Sequence, residues 1–274
     1  MPKSKSSFKI ATWNINSVRL RIDNVVRLLS EEQPDVLCLQ ETKCPQGQFP
    51  SGPLKEIGYG HIAEHGQKGY HGVAIVSRLP FVESHSKQFC GKDDCRHISA
   101  LFDAPTRFAI HNFYVPAGGD EPDPRINEKF DHKLKFIDEW EKWSGDKKRR
   151  AVAPAILVGD LNIAPLEHDV WSHKDLLKVV SHTPIEVAGM GRVQKAGEWH
   201  DVMRKHVPAD QKLYTWWSYR AKDWDTANRG RRLDHVWASE DLASRSKGIR
   251  VLREARSWEK PSDHVPVIAE FGLA

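Results

Sequence analysis

Ala155-Ile156-Leu157-Val158-Gly159-Asp160-Leu161-Asn162 places four consecutive apolar residues ahead of a glycine and an Asp-x-Asn pair. An apolar run this short and this continuous reads as a strand covered on both faces by other layers. Asp35-Val36-Leu37-Cys38-Leu39-Gln40 repeats the pattern, and further strand-like runs fall at 8–15, 72–77, 98–102, 107–115, 233–238 and 265–271. Between them the period lengthens. Val18, Ile22, Val25, Val26 and Leu29 mark an amphipathic helix over 17–32 that Pro34 closes, and Phe130, Leu134, Ile137 and Trp140 mark a second over 127–143. The weakly patterned stretches 166–208 and 220–230 read as surface loops. Strands joined partly by helices and partly by short turns predict an α/β fold of two packed mixed sheets flanked by helices.

The chain has 274 residues, 39% hydrophobic and 28% charged, which suits one folded domain over 8–274 behind a flexible polar tail over 1–7. A net charge of +4 permits a polyanionic partner without identifying one. Of the basic clusters, 147–150 reads as solvated surface, whereas Arg229, Arg231 and Arg232 lie beside aromatics and suggest phosphate contact. Cys38, Cys44, Cys90 and Cys95 form no Cys-x-x-Cys pair, so spacing suggests neither a structural zinc site nor a redox motif. With no apolar N-terminal stretch, a reduced cytoplasmic protein is expected.

Chemistry concentrates where apolar strands end. Asn14 and Asn16 interrupt the first strand, Glu41 follows Leu39-Gln40, and Tyr114 lies in Asn112-Phe113-Tyr114-Val115-Pro116. Asp160 and Asn162 close the opening stretch, Asp234 begins a strand, and Asp263 and His264 precede the last one. A core tolerates such groups only when they are partnered. Asp160 and Asn162 are two apart, so an extended backbone points both to one face. With Glu41 and Asp263 they form an oxygen-only ligand set, which favours magnesium, or manganese as a substitute, over zinc.

These residues sit in motifs that resemble the exonuclease III branch of the endonuclease/exonuclease/phosphatase superfamily, of the bacterial AP endonuclease type. The motifs are Trp13-Asn14-Ile15-Asn16-Ser17-Val18-Arg19, Leu39-Gln40-Glu41-Thr42-Lys43, His65-Gly66-Gln67-Lys68-Gly69, Asn112-Phe113-Tyr114-Val115-Pro116, Gly159-Asp160-Leu161-Asn162-Ile163-Ala164-Pro165, Arg232-Leu233-Asp234 and Lys260-Pro261-Ser262-Asp263-His264. They run in the family's order from about residue 8 to the C-terminus. The resemblance implies a four-layer α/β sandwich with its site at one end of the two sheets. It implies metal ligands among Asn14, Glu41, Asp160, Asn162 and Asp263, and catalytic roles for Tyr114, Asp160, Asn162, Asp234 and His264. Whether Asp160 or His264 is the general base stays open at this stage.

The implied substrate is duplex DNA with abasic sites or blocked 3′ ends, acted on by a monomer without membrane attachment. The aromatic block Tyr214-Thr215-Trp216-Trp217-Ser218-Tyr219 and the basic 228–232 suit stacking combined with phosphate contact. By the resemblance, Trp216 and Leu233 line a slot for a flipped-out deoxyribose. Arg231, Arg96 and Asn112 complete the expected substrate contacts. Arg231 departs from the family, which has an apolar or aromatic residue there; His235 departs too and reads as structural. Two other readings keep the scaffold: a phosphoesterase acting on inositol phosphates or lipid headgroups, and an inert nucleic-acid-binding regulator. The complete set of polar residues weighs against the second.

Overall fold

The computed structural model describes residues 6–273. Its strands are β1 (Ser7–Asn14), β2 (Val36–Gln40), β3 (His61–His65), β4 (Val73–Ser77), β5 (Glu83–Ser86), β6 (His97–Phe102), β7 (Phe108–Tyr114), β8 (Ala155–Asp160), β9 (His200–Asp201), β10 (Trp216–Trp217), β11 (Gly230–Arg231), β12 (Asp234–Ala238), β13 (Ser246–Val251) and β14 (Val267–Gly272). Two six-stranded sheets form, in the orders β13-β14-β1-β2-β4-β3 and β5-β6-β7-β8-β12-β9, and β10 pairs with β11 as a short ribbon. Each large sheet has a parallel pair at its middle, β1 with β2 and β7 with β8, and antiparallel neighbours outside it.

The eight strands expected from apolar runs are all present, with ends displaced by at most two residues. What the sequence reading passed over are the sheet edges: β13 and β3 bound one sheet, β5 and β9 the other. The reason is physical. An edge strand need not bury a face, and β5, Glu-Ser-His-Ser, is exposed at every position, so no hydrophobic period marks it.

Side-chain alternation builds three apolar layers. Between the sheets, Phe8, Ile10, Val36 and Ile75 meet Ile98, Phe108, Ile110, Ile156 and Val158. On the outer face of the first sheet, Trp13, Leu37, Leu39 and Val76 pack on Val25, Leu28 and Leu29 of the helix Ile22–Glu32. On the outer face of the second, Phe113, Leu157 and Trp237 pack on Phe136, Ile137 and Trp140 of the helix Glu128–Ser144, and on Met190 and Val193 of the helix Pro184–Gly197. Each such side chain stabilises the fold by roughly 1.5–3 kcal/mol. The result is the four-layer α/β sandwich.

Three expectations are corrected. The first helix begins at Ile22 rather than residue 17, because Asn16 and Ser17 take positive φ and the amides of Ser17 and Val18 donate to the carbonyls of Glu41 and Thr42. The stretch 166–208 is not a loop throughout, since it contains the helix Pro184–Gly197. Pro184 occupies the helix's first turn, where its missing N–H costs nothing, and Thr183 donates its amide and hydroxyl to the Glu186 carboxylate at 3.2 and 2.6 Å. Gly189, which suggests a break, is there for contact: a Cβ would lie 2.8 Å from Ile137 Cγ2. In 220–230, Trp224–Ala227 forms one helical turn.

Of the expected tail, residues 1–5 lie outside the described residues. Ser7 is already paired with Gly272 in β1, so the folded part begins one residue earlier than expected. No helix among the described residues is long and apolar enough to cross a membrane.

Candidate active site

The two parallel pairs put their C-terminal ends together, and those ends carry the polar residues. Tyr114 lies level with Asp160 across β7 and β8, and Asp160 lies level with Asp234 across β8 and β12. Asn14 and Gln40 close β1 and β2 on the same rung, and Glu41 follows. Gly159, at φ +140°, permits this closure, because a Cβ there would lie 1.9 Å from the Phe113 carbonyl oxygen.

The side chains form one hydrogen-bonded cluster. Asn14 Nδ2 donates to Glu41 Oε1 at 3.0 Å and to Asp160 Oδ2 at 2.8 Å. The Tyr114 hydroxyl donates to Glu41 Oε1 at 2.8 Å. Asn162 Nδ2 donates to the Val115 carbonyl at 2.9 Å and to Asp160 Oδ2 at 3.2 Å. His264 Nδ1 donates to Asp234 Oδ2 at 2.8 Å, and its Nε2 faces Asp160 Oδ2 at 3.7 Å. Asp263 accepts from Trp216 Nε1 at 2.9 Å and from Asn16 Nδ2 at 3.2 Å. Glu41, Tyr114, Asp160, Asn162, Asp263 and His264 all face a cleft of about 740 Å³.

Burial and these neighbours set the protonation states. Burial pushes Asp160 above the ordinary carboxylate range against the pull of His264, with Asp234 adding to the rise. For His264 burial works toward neutrality, but the Asp234 and Asp160 carboxylates outweigh it and hold the imidazole protonated above its usual range. Burial would also raise Glu41, yet hydrogen bonds from Asn14, Lys43 and Tyr114 bring it below its ordinary value. Tyr114 is driven well above its ordinary value by burial and by the charges of Glu41 and Asp160, so it remains a donor.

Within the cluster the carboxylates of Glu41, Asp160, Asp234 and Asp263 outnumber the cationic groups beside them, Lys43 and His264. Ligand atoms of Asp160, Asp234 and His264 all lie within 4.8 Å of one another. Carboxylate-rich donors with uncompensated charge suit a hard divalent cation.

Lys43 and Asn16 were missed as site residues, although both stand in motifs already quoted. Lys43 Nζ donates to Glu41 Oε2 at 2.9 Å and to Asn16 Oδ1 at 2.6 Å. Lys133 was hidden by its place on the apolar stripe of its helix. Fully buried, it donates to the Asn162 carbonyl at 2.8 Å and pairs with Glu186, which fixes the turn after β8.

The expected substrate residues divide. Trp216 and Leu233 line the cleft. Arg231 lines it too; its guanidinium lies over the Trp216 ring, 5.3 Å from the centroid, and donates to the Val180 carbonyl and Ser181 hydroxyl at 3.0 and 2.8 Å. Arg96 is placed behind Tyr114, over its ring at 5.0 Å and bonded to its carbonyl at 3.3 Å. Asn112 does not reach the cleft. It is fully buried between the sheets, donating to the Leu39 and Ala74 carbonyls and accepting from Gln40, so it is a strut and not a substrate contact.

Two basic residues also read differently in three dimensions. Arg232 is fully buried and paired with Asp169 and Asp201, which removes it from phosphate contact. Arg149, expected as solvated charge, lies over Trp143 and Trp199. His235 is buried, with Nε2 on the Ile163 carbonyl at 2.8 Å, in the structural role expected of it.

The model of the Endonuclease/Exonuclease/phosphatase family matches residues 11–264. The chain belongs to this family. It is 32% identical over 273 residues to exodeoxyribonuclease III of Haemophilus influenzae, a match covering 96% of this chain and 99% of that protein. Among solved structures of the family, a 3′ phosphatase from Neisseria bound to a product DNA hairpin superposes with TM-score 0.88 at 32% identity, covering 97% of this chain and all of the other. An AP endonuclease from Archaeoglobus fulgidus matches with TM-score 0.87, also at 32% identity and with the same coverage.

Proposed function

We propose that this chain is a magnesium-dependent DNA repair nuclease of the exodeoxyribonuclease III type, which manganese also serves. It hydrolyses the phosphodiester 5′ to abasic sites in duplex DNA and clears nucleotides or blocking groups from 3′ ends. The observation that carries this reading is that Asp160 and His264, the latter held from behind by Asp234, line the same cleft as Trp216, Leu233 and Arg231. Hydrolytic groups and a surface suited to a sugar without a base thus adjoin. The monomeric state and the bacterial cytoplasm belong to the same reading.

The groups divide the work by protonation. His264, held cationic by Asp234, donates from Nε2 to a non-bridging phosphate oxygen and cannot serve as a base. Asp160 therefore accepts the proton of the attacking water, and its elevated pKa suits proton transfer near neutral pH. Asn162 positions Asp160 and the water. Tyr114 donates toward the phosphate from its place beside Glu41. A P–O bond forms to water while the bond to the 3′ oxygen breaks, and that oxygen leaves and takes a proton from solvent. Glu41, with Asn14, Asp160, Asn162 and Asp263 nearby, would hold a divalent cation, which would supply charge neutralisation to the phosphate and the departing oxygen.

The test uses end-labelled duplex containing a single abasic analogue, with magnesium or chelator, beside undamaged and 3′-phosphate duplexes and an inositol phosphate. Metal-dependent incision 5′ to the lesion is expected. Equal cutting of damaged and undamaged duplex removes lesion specificity, and hydrolysis of the inositol phosphate in preference to DNA replaces the reading.

A further inference from the structure

Away from the cleft, a second group of metal-ligating side chains meets where the two sheets come together at their rims. His65 ends β3, the edge strand of the first sheet, and Cys95 lies two residues before β6 of the second. Asp93 lies in the loop between β5 and β6. Ligand atoms of His65, Asp93 and Cys95 are all within 4.8 Å of one another. No spacing rule finds this group, since His65 comes from the other sheet, 28 residues before Asp93.

The imidazole geometry requires a positive charge at its centre. His65 Nδ1 lies 3.3 Å from the His97 carbonyl oxygen, which can only accept, so that nitrogen carries its proton. Nε2 is the nitrogen turned toward the cluster, and it faces the Asp93 carboxylate at 3.3 Å. Two lone pairs cannot face each other at that distance without a cation or a proton between them. A backbone carbonyl that fixes one ring nitrogen and frees the other is the arrangement that orients metal-bound histidines. Cys95 adds a buried sulfur on the same side and holds a positive φ of 50° in doing so.

From this geometry we infer that His65, Asp93 and Cys95 form a zinc site distinct from the oxygen-rich cleft. Tetrahedral zinc with bonds of about 2.0–2.3 Å puts its ligands ~3.5 Å apart, so the loop closes slightly on binding. The fourth position is left to water. Sulfur and imidazole select zinc over magnesium, as the cleft's carboxylates select the reverse. The Asp93 side chain is 66% exposed and the His65 side chain 18%, which gives the ion its entry path. A thiol binds zinc as its thiolate, so binding releases a proton and tightens with rising pH. The ion would clamp the loop that leads to Arg96, the residue packed behind Tyr114.

Cobalt(II) reports the site directly, because a thiolate ligand produces a near-ultraviolet sulfur-to-cobalt charge-transfer band that oxygen ligands do not. Full-length reduced protein, with magnesium present, is titrated with cobalt chloride and then with zinc chloride. A stoichiometric band that zinc abolishes is expected, together with a zinc-dependent rise in Tm. Cys95→Ser loses the band and the rise. Asp93→Asn, changed at an exposed side chain that the fold does not need, lowers cobalt affinity at least ~10-fold. Cys90→Ser and the catalytic Asp160→Asn keep both signals. No band in the parent protein, or a band that survives Cys95→Ser, overturns the site and leaves a proton-bridged His65–Asp93 pair.

Discussion

Asp234 Oδ2 stands 2.8 Å from His264 Nδ1, on the opposite side of the imidazole from Asp160, which lies 3.7 Å from Nε2. The ring is thus held between two buried carboxylates that β8 and β12 set on the same rung. The first fixes which nitrogen carries the hydrogen-bonded proton; the second keeps the opposite nitrogen beside the reacting group. Asp234→Asn removes the charge that sustains the imidazolium while keeping the shape. Turnover on abasic duplex should fall roughly 10²–10⁴-fold, with KM little changed, because no substrate contact is lost. A change in KM alone, measured by steady-state incision, would contradict the assigned role.

Asp160→Asn tests the base. The amide keeps the hydrogen bond to Asn14 by flipping but cannot take a proton. Single-turnover incision should slow by roughly 10²–10⁴-fold, while duplex affinity, measured by fluorescence anisotropy, stays within a few-fold of the parent protein. Retained cleavage would return the base role to another residue, with His264 the first to examine.

Lys133→Met leaves Glu186 charged and unpaired in the interior and withdraws the donor from the Asn162 carbonyl. Breaking a buried pair from one side costs about 3–5 kcal/mol, which denaturant titration reads directly. Lys133→Met combined with Glu186→Gln should recover part of that loss, since the neutral amide removes the buried charge while its oxygen still accepts from Ser181 and Thr183. Activity should not recover with it, because the turn carrying Asn162 stays untethered.

Stability should fall as pH drops below neutral. Burial drives His97 and His235 down to about 3 and His111 well below its ordinary 6.5. A folded-state value below the unfolded one means that their contribution is complete above pH 6.5. It is lost as pH falls toward the folded values. With all three acting, the slope approaches roughly 4 kcal/mol per pH unit. His264 is shifted the other way, so its contribution is present below 6.5 and fades as pH rises past that value. Urea midpoints at pH 7.5, 6.5 and 5.5 should therefore decline, and His111→Phe should flatten the decline. A flat profile in the parent protein would show that these imidazoles are protonated in the fold.

The sequence by itself determined the eight central strands, because a strand buried on both faces must be apolar throughout and that run is visible without a partner. It also located Glu41, Asp160, Asn162, Asp234 and His264, since polar residues that close such runs have no reason to be there unless they meet. Only the tertiary structure decided the rest. The edge strands β3, β5, β9 and β13 exist through pairing with a neighbour, not through a pattern of their own. The helix Pro184–Gly197 carries Gly189 because another helix presses on it. Asn112 was expected as a substrate contact, but strand alternation sends it and Tyr114 to the same inner face and only Tyr114, at the strand's end, reaches the cleft. Lys133 and Glu186, like His65, Asp93 and Cys95, are brought together by packing between elements far apart in the chain. Local sequence records what a segment must bury; it does not record which distant side chain will be waiting there.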